Sequence, residues 1–366
     1  MNIVFLDNVQ MTSRNGRLYC VTGTGKFAKE LVDLGNDVTM FGQKIEDLGS
    51  IADFDIEANG IKTISYWRTR LKILDYLKLY WNALREAFKN DFVYIYYPTS
   101  YKYFALLCWL TRRKYGLYIR GTVGVKDRVS QIIYKHASAI FCVSQVFTDF
   151  VNEVNPKQIA HTIRPMIDLT EKDAVERSYL MPTSFSVLMF CRIEKEKGIV
   201  ELLNAVKQLK SNNKNQFSLV VAGGGGFLDE AKRLVETLNI KDVVRFTGAV
   251  NDKDEKRQLF LDSDIYILPT YHEGFPRTLY EAMLYGTPIV TTMVGGIPAV
   301  MKDGLNCKSI EPKSEKSIVA GLSFAFNHYD KMISYAKQGA QSVIKIVDSN
   351  RPSHAQDVNN AIQHLK

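Results

Sequence analysis

A double series of short apolar runs constrains the fold of this 366-residue chain more than any other feature. Each run has the length and composition of a buried strand, and the longer stretches between the runs have helical periodicity. A helix that links two strands returns the chain to the same edge of the sheet, so neighbouring strands run parallel. The pattern therefore predicts an α/β fold with two mostly parallel, doubly wound sheets, one in each half of the chain.

The first series opens the chain. It predicts strands at Asn2–Leu6, Asp37–Phe41, Phe92–Tyr96, Tyr115–Ile119 and Ala139–Val143. Between the first two strands, the sequence favours a glycine-containing loop at Val21–Gly25 and a helix at Phe27–Leu34 that ends at Gly35.

The second series follows a polar, aperiodic segment, Asp168–Ser184, which predicts the crossing between two domains. The series predicts strands at Phe185–Phe190, Phe217–Ala222, Val243–Phe246, Ile265–Leu268 and Pro288–Thr291, and helices at Ile199–Lys210, Leu228–Leu238, Lys253–Asp262 and Pro276–Leu284. We expect Rossmann-like domains at 1–167 and 168–349, with a helix at about 350–366 that packs back on the first. If the domains face each other across a cleft, the site lies there, at the carboxyl ends of the strands.

Two glutamates stand near a predicted strand end in the sequence HEGFPRTLYEAMLYG. Glu273 falls in the loop after strand Ile265–Leu268, and Glu281 falls inside the helix that starts near Pro276. The free N–H groups of that helix start suit an anionic or hydroxyl-rich ligand. Taken alone, the two glutamates favour the structural interpretation, in which Glu273 is a solvated loop residue and Glu281 an exposed helix residue.

Two cations follow the strand Phe185–Phe190. Arg192 and Lys197, in CRIEKEKG, have the charge to clamp a diphosphate, although a solvated charged turn explains them as well. The four glycines Gly223–Gly226 do not form a P-loop and permit either a nucleotide contact or a flexible turn. Gly23 and Gly25 form a weak G-x-G signal without the third glycine of a dinucleotide-binding loop.

Metal binding is disfavoured. Asp262 and Asp264 have D-x-D spacing, but they span a helix end and a strand start, where their carboxylates diverge. The six histidines lack metal-ligand spacing. We therefore expect no metal ion and no resident cofactor.

The net charge of +8 is local. The stretch Lys62–Lys135 holds 15 Lys and Arg against 4 Asp and Glu, together with all three tryptophans. Basic and aromatic side chains suit an anionic membrane surface, whereas an ordinary basic surface over core aromatics is the other interpretation. No nucleic-acid-binding motif accompanies the charge, so we expect no nucleic-acid partner.

The location is predicted from what the sequence lacks. The five cysteines are odd in number and widely spaced, which is typical of a reducing compartment. The start resembles no secretory signal, and no apolar run reaches the length of a membrane span. We expect a cytoplasmic protein, peripheral at the cytoplasmic face of the membrane.

Taken in order, these stretches resemble the family-four retaining glycosyltransferases, which have the GT-B fold of two Rossmann-like domains. The resemblance is strongest from Phe185 to Gly304 and rests on CRIEKEKGIVELLNAV, LVVAGGGG, VVRFTGAV and SDIYILPTYHEGFPRTLYEAMLYGTPIVTTMVGGIP. In the first half, GTGKFAKELVDLGNDV resembles the family's glycine loop and first helix.

The resemblance implies a role for each of these residues. Glu273 would contact hydroxyls of the donor sugar, Glu281 would hold the ribose, and Arg192 and Lys197 would neutralise the departing diphosphate. The family also implies roles on the donor side for three further groups of residues. Gly274, Phe275 and Pro276 would surround the sugar or phosphate, and the segment Gly248–Val250 would line the base. Gly23 and Gly25 would lie near the diphosphate.

Three departures from the family stand out. Arg120 lies where many relatives have a histidine, so it is a candidate for contact with the donor or the acceptor. The segment Pro165–Asp168 stands in place of the family's usual crossover motif. Ala299 stands where relatives commonly have an acidic residue.

The implied function is metal-independent, retaining transfer of a sugar from a nucleotide-sugar, with UDP favoured, to a glycan or lipid-linked acceptor in bacterial surface polysaccharide or glycolipid synthesis. The alternatives are a nucleotide-sugar epimerase or hydrolase of the same fold, and a catalytically idle scaffold that binds a nucleotide-sugar at the membrane.

Overall fold

The computed structural model describes residues 1–7, 9–46, 52–67, 72–120, 124–167, 169–211, 216–274 and 276–365. The chain forms two compact units. The first comprises Met1–Asp168 together with Ser349–Lys366, and the second comprises Leu169–Asp348.

The strands of the first unit, in the described residues, are β1 (Asn2–Leu6), β2 (Met11–Arg14), β3 (Arg17–Cys20), β4 (Asp37–Glu46), β5 (Phe54–Asp55), β6 (Lys62–Trp67), β7 (Phe92–Tyr97), β8 (Tyr115–Ile119), β9 (Ala139–Cys142) and β10 (Ala160–Thr162). Its helices up to the crossing are α1 (Thr22–Asp33), α2 (Lys72–Lys89), α3 (Lys102–Leu110), α4 (Arg128–His136) and α5 (Gln145–Val154).

The first sheet is doubly wound. Its parallel part runs β6-β4-β1-β7-β8-β9-β10, so the chain proceeds outward in one direction from β1 and then in the other from β7. A short β2-β3-β5 ribbon, in which β3 is antiparallel to both neighbours, extends the sheet beyond β4. The carboxyl ends of β1 and β7 therefore meet where the winding reverses, which is where ligands bind in sheets of this kind.

The second unit contains β11 (Phe185–Phe190), β12 (Phe217–Ala222), β13 (Val244–Gly248), β14 (Ile265–Leu268), β15 (Ile289–Thr292) and β16 (Lys308–Ile310). Its helices are α6 (Ile199–Ser211), α7 (Leu228–Thr237), α8 (Lys253–Leu261), α9 (Arg277–Leu284), α10 (Glu315–Asn327) and α11 (Tyr329–Val347).

The second sheet is parallel and has the order β13-β12-β11-β14-β15-β16. Alternate residues such as Val187 and Met189 of β11 point to one face and join a buried cluster with Leu202 of α6 and Leu322 of α10. On the other face, the ring of Tyr266 packs against Phe260 of α8. Helices cover both faces, which explains why these strands are continuously apolar.

The last helix, α12 (His354–Gln363), belongs to the first unit. His354 is buried among aromatic rings: its ring centroid lies 4.5 Å from that of Phe27 and 4.5 Å from that of Tyr118. The Tyr94 hydroxyl lies 2.5 Å from Nε2, and Nδ1 lies 2.9 Å from the sulfur of Met166. A neutral imidazole satisfies both contacts, with Nε2 accepting from the hydroxyl and Nδ1–H donating to the sulfur.

Most strand predictions hold within one or two residues, and the strands at Asn2–Leu6, Tyr115–Ile119, Phe185–Phe190, Phe217–Ala222 and Ile265–Leu268 have the predicted bounds. The glycine loop at Val21–Gly25 is wrong, because α1 already begins at Thr22. Gly25 lies in that first turn, where an added Cβ would come within 2.2 Å of the Phe54 ring. The glycine is therefore explained by close packing against the β5 segment rather than by a turn.

Within the ranges given above, no helix is both long enough and apolar enough to cross a bilayer.

We expect stability to fall in acid because of His354. Burial lowers the pKa of His354 to about 3, whereas the pKa of a histidine in the unfolded chain is about 6.5. Between these values the unfolded chain binds the extra proton, so the free energy of unfolding drops by about 1.4 kcal/mol for each pH unit of acidification. Chemical denaturation of the parent and the His354→Phe variant, from about pH 6 to about pH 4, should show a shallower pH slope for the variant.

The control is His364→Phe, at an exposed position just after α12. This variant should keep the parental slope. Equal slopes for the parent and the His354→Phe variant would contradict the assignment.

Candidate functional site

The candidate site lies where the winding of the second sheet reverses. Strands β11 and β14 are neighbours there, although their carboxyl ends, Phe190 and Leu268, are 78 positions apart in the sequence. The segment Cys191–Gly198 follows β11 and the segment Pro269–Pro276 follows β14. Sequence analysis places its two candidate cations in the first segment and Glu273 in the second, and the topology brings the segments side by side.

An ion pair joins the two segments. Lys197 Nζ lies 2.6 Å from Glu273 Oε2, and the two side chains are only 14% and 16% exposed. Charge-assisted hydrogen bonds of this length are among the stronger polar contacts in proteins, and partial burial protects this one from screening. The ammonium and the carboxylate are therefore held together at the carboxyl edge of the sheet.

Backbone contacts fix the two segments against each other. The Tyr271 N–H donates to the carbonyl of Glu196 at 2.8 Å. Gly198 has φ 76°, and a Cβ there would lie 2.1 Å from the carbonyl oxygen of Pro269. The Tyr271 hydroxyl also donates to Glu201 of α6 at 2.5 Å. These contacts set the spacing at which Lys197 reaches Glu273.

Two further glycines support the Glu273 backbone from the loop after β15. A Cβ on Gly295 would lie 1.9 Å from the carbonyl oxygen of Glu273, and one on Gly296 would lie 2.1 Å from that of Gly274. The Gly296 N–H donates to the Glu273 carbonyl at 2.8 Å. Only glycine permits this approach, so the G-G-I-P sequence is a direct support of the site.

The four glycines after β12 pack against the first segment. Gly223, with φ 136°, would place a Cβ 1.9 Å from the Cys191 carbonyl oxygen, and Gly225, with φ 157°, would place one 2.2 Å from that of Ile193. The Ile193 N–H donates to the Gly224 carbonyl at 2.8 Å. These contacts pack the backbone of the stretch against the Cys191–Gly198 segment, as a turn in fixed contact with its neighbour rather than a free one.

Glu281 pairs with a lysine that the sequence analysis missed. It is buried on α9, and its Oε1 lies 2.8 Å from Nζ of Lys256 on α8. Lys256 lies in the polar run KDEKR, which resembles an ordinary solvated helix face. Only the packing of α8 beside α9 reveals that this lysine faces inward.

The other sequence candidates of this unit differ in their exposure to solvent. Arg192 is exposed, whereas Pro276 is buried as the N-cap of α9 and Val250 is half-buried just beyond β13. Gly274 contributes the carbonyl against Gly296. Phe275 lies outside the described residues.

Cys191 also lies beside the pair. Burial raises the pKa of the Cys191 thiol to about 12, with the negative charge of Glu273 also raising it. The thiol is therefore protonated at neutral pH and offers no nucleophile.

The first unit has a smaller polar cluster at its own winding reversal. Arg120, just after β8, lies 3.5 Å from the buried carboxylate of Asp7, which directly follows β1. The guanidinium stacks 4.8 Å from the ring centre of Tyr96 on β7. Arg120 is a candidate from the sequence, whereas Asp7 was missed. An acidic residue directly after the first predicted strand could have indicated a functional position there. Gly23 and Gly25 lie in the first turn of α1.

The D-x-D pair does not converge. Asp262 accepts from Gln258 on its own helix at 2.6 Å, while Asp264 accepts from the Ser186 N–H of β11 at 2.8 Å. In the part of the chain that the structure describes, no three His, Cys, Asp or Glu side chains are grouped so as to hold a metal ion.

Comparison with known proteins finds a family that matches the second unit. The family described as Glycosyl transferases group 1 matches residues 171–341, nearly the whole of that unit. The second unit is therefore similar to the group 1 glycosyl transferases. The matched span contains the Lys197–Glu273 pair and the Lys256–Glu281 pair.

Two relatives show how far the sequence likeness extends. D-inositol 3-phosphate glycosyltransferase 2 of Catenulispora acidiphila is 32% identical over 178 residues, which cover 44% of this chain and 42% of the relative. The putative colanic acid biosynthesis glycosyltransferase WcaL of Salmonella typhimurium is 26% identical over 196 residues, covering 51% and 47%. The chain thus spans less than half the length of either relative.

The fold likeness extends over the whole chain. Alr3699/HepE of Anabaena, solved in complex with UDP-glucose, superposes with a TM-score of 0.68 at 17% identity and covers 100% of this chain and 99% of that chain. At this identity the likeness shows the fold alone. It confirms the predicted GT-B fold.

We expect Gly198→Ala to be more destabilising than the same substitution at Gly60. At Gly60, φ is 73° and an added Cβ meets nothing within 4 Å, so Gly60→Ala should cost only the strain of a left-handed residue, about 1–2 kcal/mol. At Gly198, φ is similar but the methyl group also collides with the Pro269 carbonyl. Denaturant unfolding of both variants measures the difference, and equal losses would mean that the two segments do not need this contact.

Proposed function

We propose that this chain is a glycosyltransferase that moves a sugar from a nucleotide-sugar donor to a glycan or lipid-linked acceptor in surface polysaccharide or glycolipid synthesis. The observation that carries the proposal is the Lys197–Glu273 pair at the carboxyl edge of a doubly wound sheet. A cation for phosphate and a carboxylate for sugar hydroxyls lie there in contact. The proposal places the chain among the family-four retaining enzymes, at the cytoplasmic face of the membrane.

The cations are assigned to the diphosphate. Arg192 is exposed and Lys197 is half-buried, and both lie in the segment that follows β11, at the edge where phosphates bind in sheets of this order. As the bond between sugar and diphosphate breaks, negative charge grows on the departing oxygen. Fixed cations lower the energy of that state without reorganising, and two of them supply the charge that a metal ion supplies in other enzymes. We therefore propose a reaction without a metal ion.

The carboxylates are assigned to hydroxyl groups. Glu273 pairs with Lys197 at the carboxyl edge of the sheet. Arrival of a diphosphate would give the ammonium a second anionic partner and leave the carboxylate oxygens to accept hydrogen bonds from the sugar hydroxyls. Glu281 is held by Lys256 deeper in the unit and would accept from the ribose hydroxyls. Gly248–Val250, at the end of β13, would line the base.

The stereochemical outcome is part of the proposal. The leaving phosphate would accept the acceptor's proton on the face from which it departs, and the new bond would form on that same face. The anomeric configuration is then retained. Proton NMR of the first product, compared with the donor, measures it directly.

The nucleotide is proposed to be UDP. The E-G-F-P sequence favours it, and the HepE structure, similar in fold, contains UDP-glucose. Thermal unfolding with UDP, GDP, ADP and TDP, each with and without magnesium, should show a shift for UDP that magnesium does not change. A ligand at about 100 times its dissociation constant adds about 2.7 kcal/mol to the folded state, which is easily measured.

Two lysine variants sharpen this experiment. Lys256→Gln should reduce the UDP shift because it removes the partner of Glu281, whereas Lys253→Gln, one turn earlier on the same helix and 56% exposed, should retain it. A shift for another nucleotide only would reassign the donor. Absence of any shift would contradict the proposed site.

Glu273→Gln should abolish most sugar transfer while the UDP shift persists. The amide still accepts from Lys197 but loses the charge that orients the sugar, and loss of one such group costs about 100-fold or more in rate. Glu196→Gln, an exposed neighbour in the first segment, is the matched control. Transfer by Glu273→Gln within about twofold of the parent would overturn the assignment.

The same assay separates the alternatives. Release of free sugar or an altered donor without any acceptor would favour the hydrolase or epimerase. Nucleotide binding with no turnover in any acceptor screen would favour the idle scaffold.

A further inference from the structure

An apolar stripe lies exposed along helix α2 of the first unit. Leu77, Trp81 and Phe88 are 65%, 67% and 56% exposed, with the half-buried Leu84 between them. Their spacing of four, three and four residues places them on one side of the helix. The opposite side, which includes Leu79 and Ala83, is buried against the unit. Helix α2 therefore has two apolar sides, one packed against the core of the first unit and one exposed to solvent.

A basic stripe runs beside the apolar one. Lys78, Arg85 and Lys89 are exposed, and each follows a residue of the apolar stripe by one position, about 100° further around the helix. The two acidic residues of α2, Asp75 and Glu86, are buried, with Glu86 reaching Lys89 from the inner side at 2.8 Å. The exposed surface of α2 in the described residues thus carries positive charge and no exposed carboxylate of its own.

The neighbouring elements continue both stripes. The guanidinium of Arg113, just beyond α3, lies 5.3 Å from the ring centre of Phe88, and Leu110 of α3 is 61% exposed. At the other end, the ammonium of Lys78 lies 5.6 Å from the ring centre of Tyr66 on β6. The combined surface is broader than a single helix.

We propose that this α2 face, defined by Leu77, Trp81, Phe88, Lys78 and Arg85, docks on the surface of an anionic phospholipid bilayer. Leucine and aromatic side chains enter the boundary between head groups and acyl chains, while lysine and arginine attract the anionic lipid from beside them. Charge complementarity favours lipid over another protein, because a protein partner would need an acidic surface fitted to both stripes, whereas a bilayer supplies apolar depth and negative charge together. The proposal stands whether or not the chain transfers sugar.

Sedimentation with lipid vesicles tests the proposal. The full chain is mixed with vesicles of phosphatidylcholine, or of phosphatidylcholine with phosphatidylglycerol, at about 0.1 M and about 1 M salt, where the screening length falls from about 10 Å to about 3 Å. We expect binding to the anionic vesicles at low salt and strong loss at high salt. Equal binding to neutral vesicles would overturn the electrostatic half of the proposal.

Variants distinguish the two stripes. Lys78→Gln combined with Arg85→Gln should weaken binding about 25-fold, since each basic side chain near an anionic surface contributes about fivefold. Trp81→Glu should also release the protein, because it removes the largest apolar group of the face. Leu180→Glu, at an 83% exposed position of the second unit, is the matched control for an exposed apolar-to-acidic change and should bind as the parent does.

Two results would contradict the proposal. One is parental vesicle binding by the α2 variants. The other is a parent that self-associates in solution and becomes monomeric on Trp81→Glu with no change in vesicle binding, which would identify the face as a contact between two copies. Light scattering without lipid measures the second, and circular dichroism of each variant shows that α2 remains folded.

Discussion

Close approach of backbone to backbone, made at glycine, is the constraint on which the rest of the second unit depends. At Gly198, Gly223, Gly225 and Gly295, a Cβ would lie between 1.9 and 2.2 Å from a carbonyl oxygen of an adjacent segment. These contacts press the segments after β11, β12, β14 and β15 together at one edge of the sheet. The 2.6 Å ion pair between Lys197 and Glu273 is a consequence of this packing, because the backbones already hold the two side chains within reach of each other.

Both carboxylates of the site are already matched with lysines in the protein itself. Glu281 is nearly buried, and burying an unpaired carboxylate is costly, so Lys256 makes its position tolerable. Glu273 is less buried, and its partner Lys197 would also bind phosphate in the proposed reaction. The deeper pair is suited to holding a group in place, and the shallower pair is suited to changing partners.

The two units share a winding order but differ at the point of reversal. The second unit collects cations and carboxylates there, whereas the first has Asp7 and Arg120 over the ring of Tyr96. The first unit also carries the α2 face, with its adjacent apolar and basic stripes. Sheet order alone therefore determines where a site can form, and the residues at the strand ends determine which chemistry each unit supports.

Sequence by itself determined the α/β class, the bounds of five strands and the segments that hold Lys197 and Glu273, because buried strands are apolar locally and their ends are marked by polar residues. It misplaced the start of α1, since glycines that allow close packing look the same as glycines that make a turn. It also missed Lys256, whose partner Glu281 lies 25 residues further along the chain. It predicted a basic and aromatic surface in Lys62–Lys135 but did not show which of these side chains are exposed. Those features depend on which helix packs beside which and on which side of a helix is covered, and only the tertiary structure decides both.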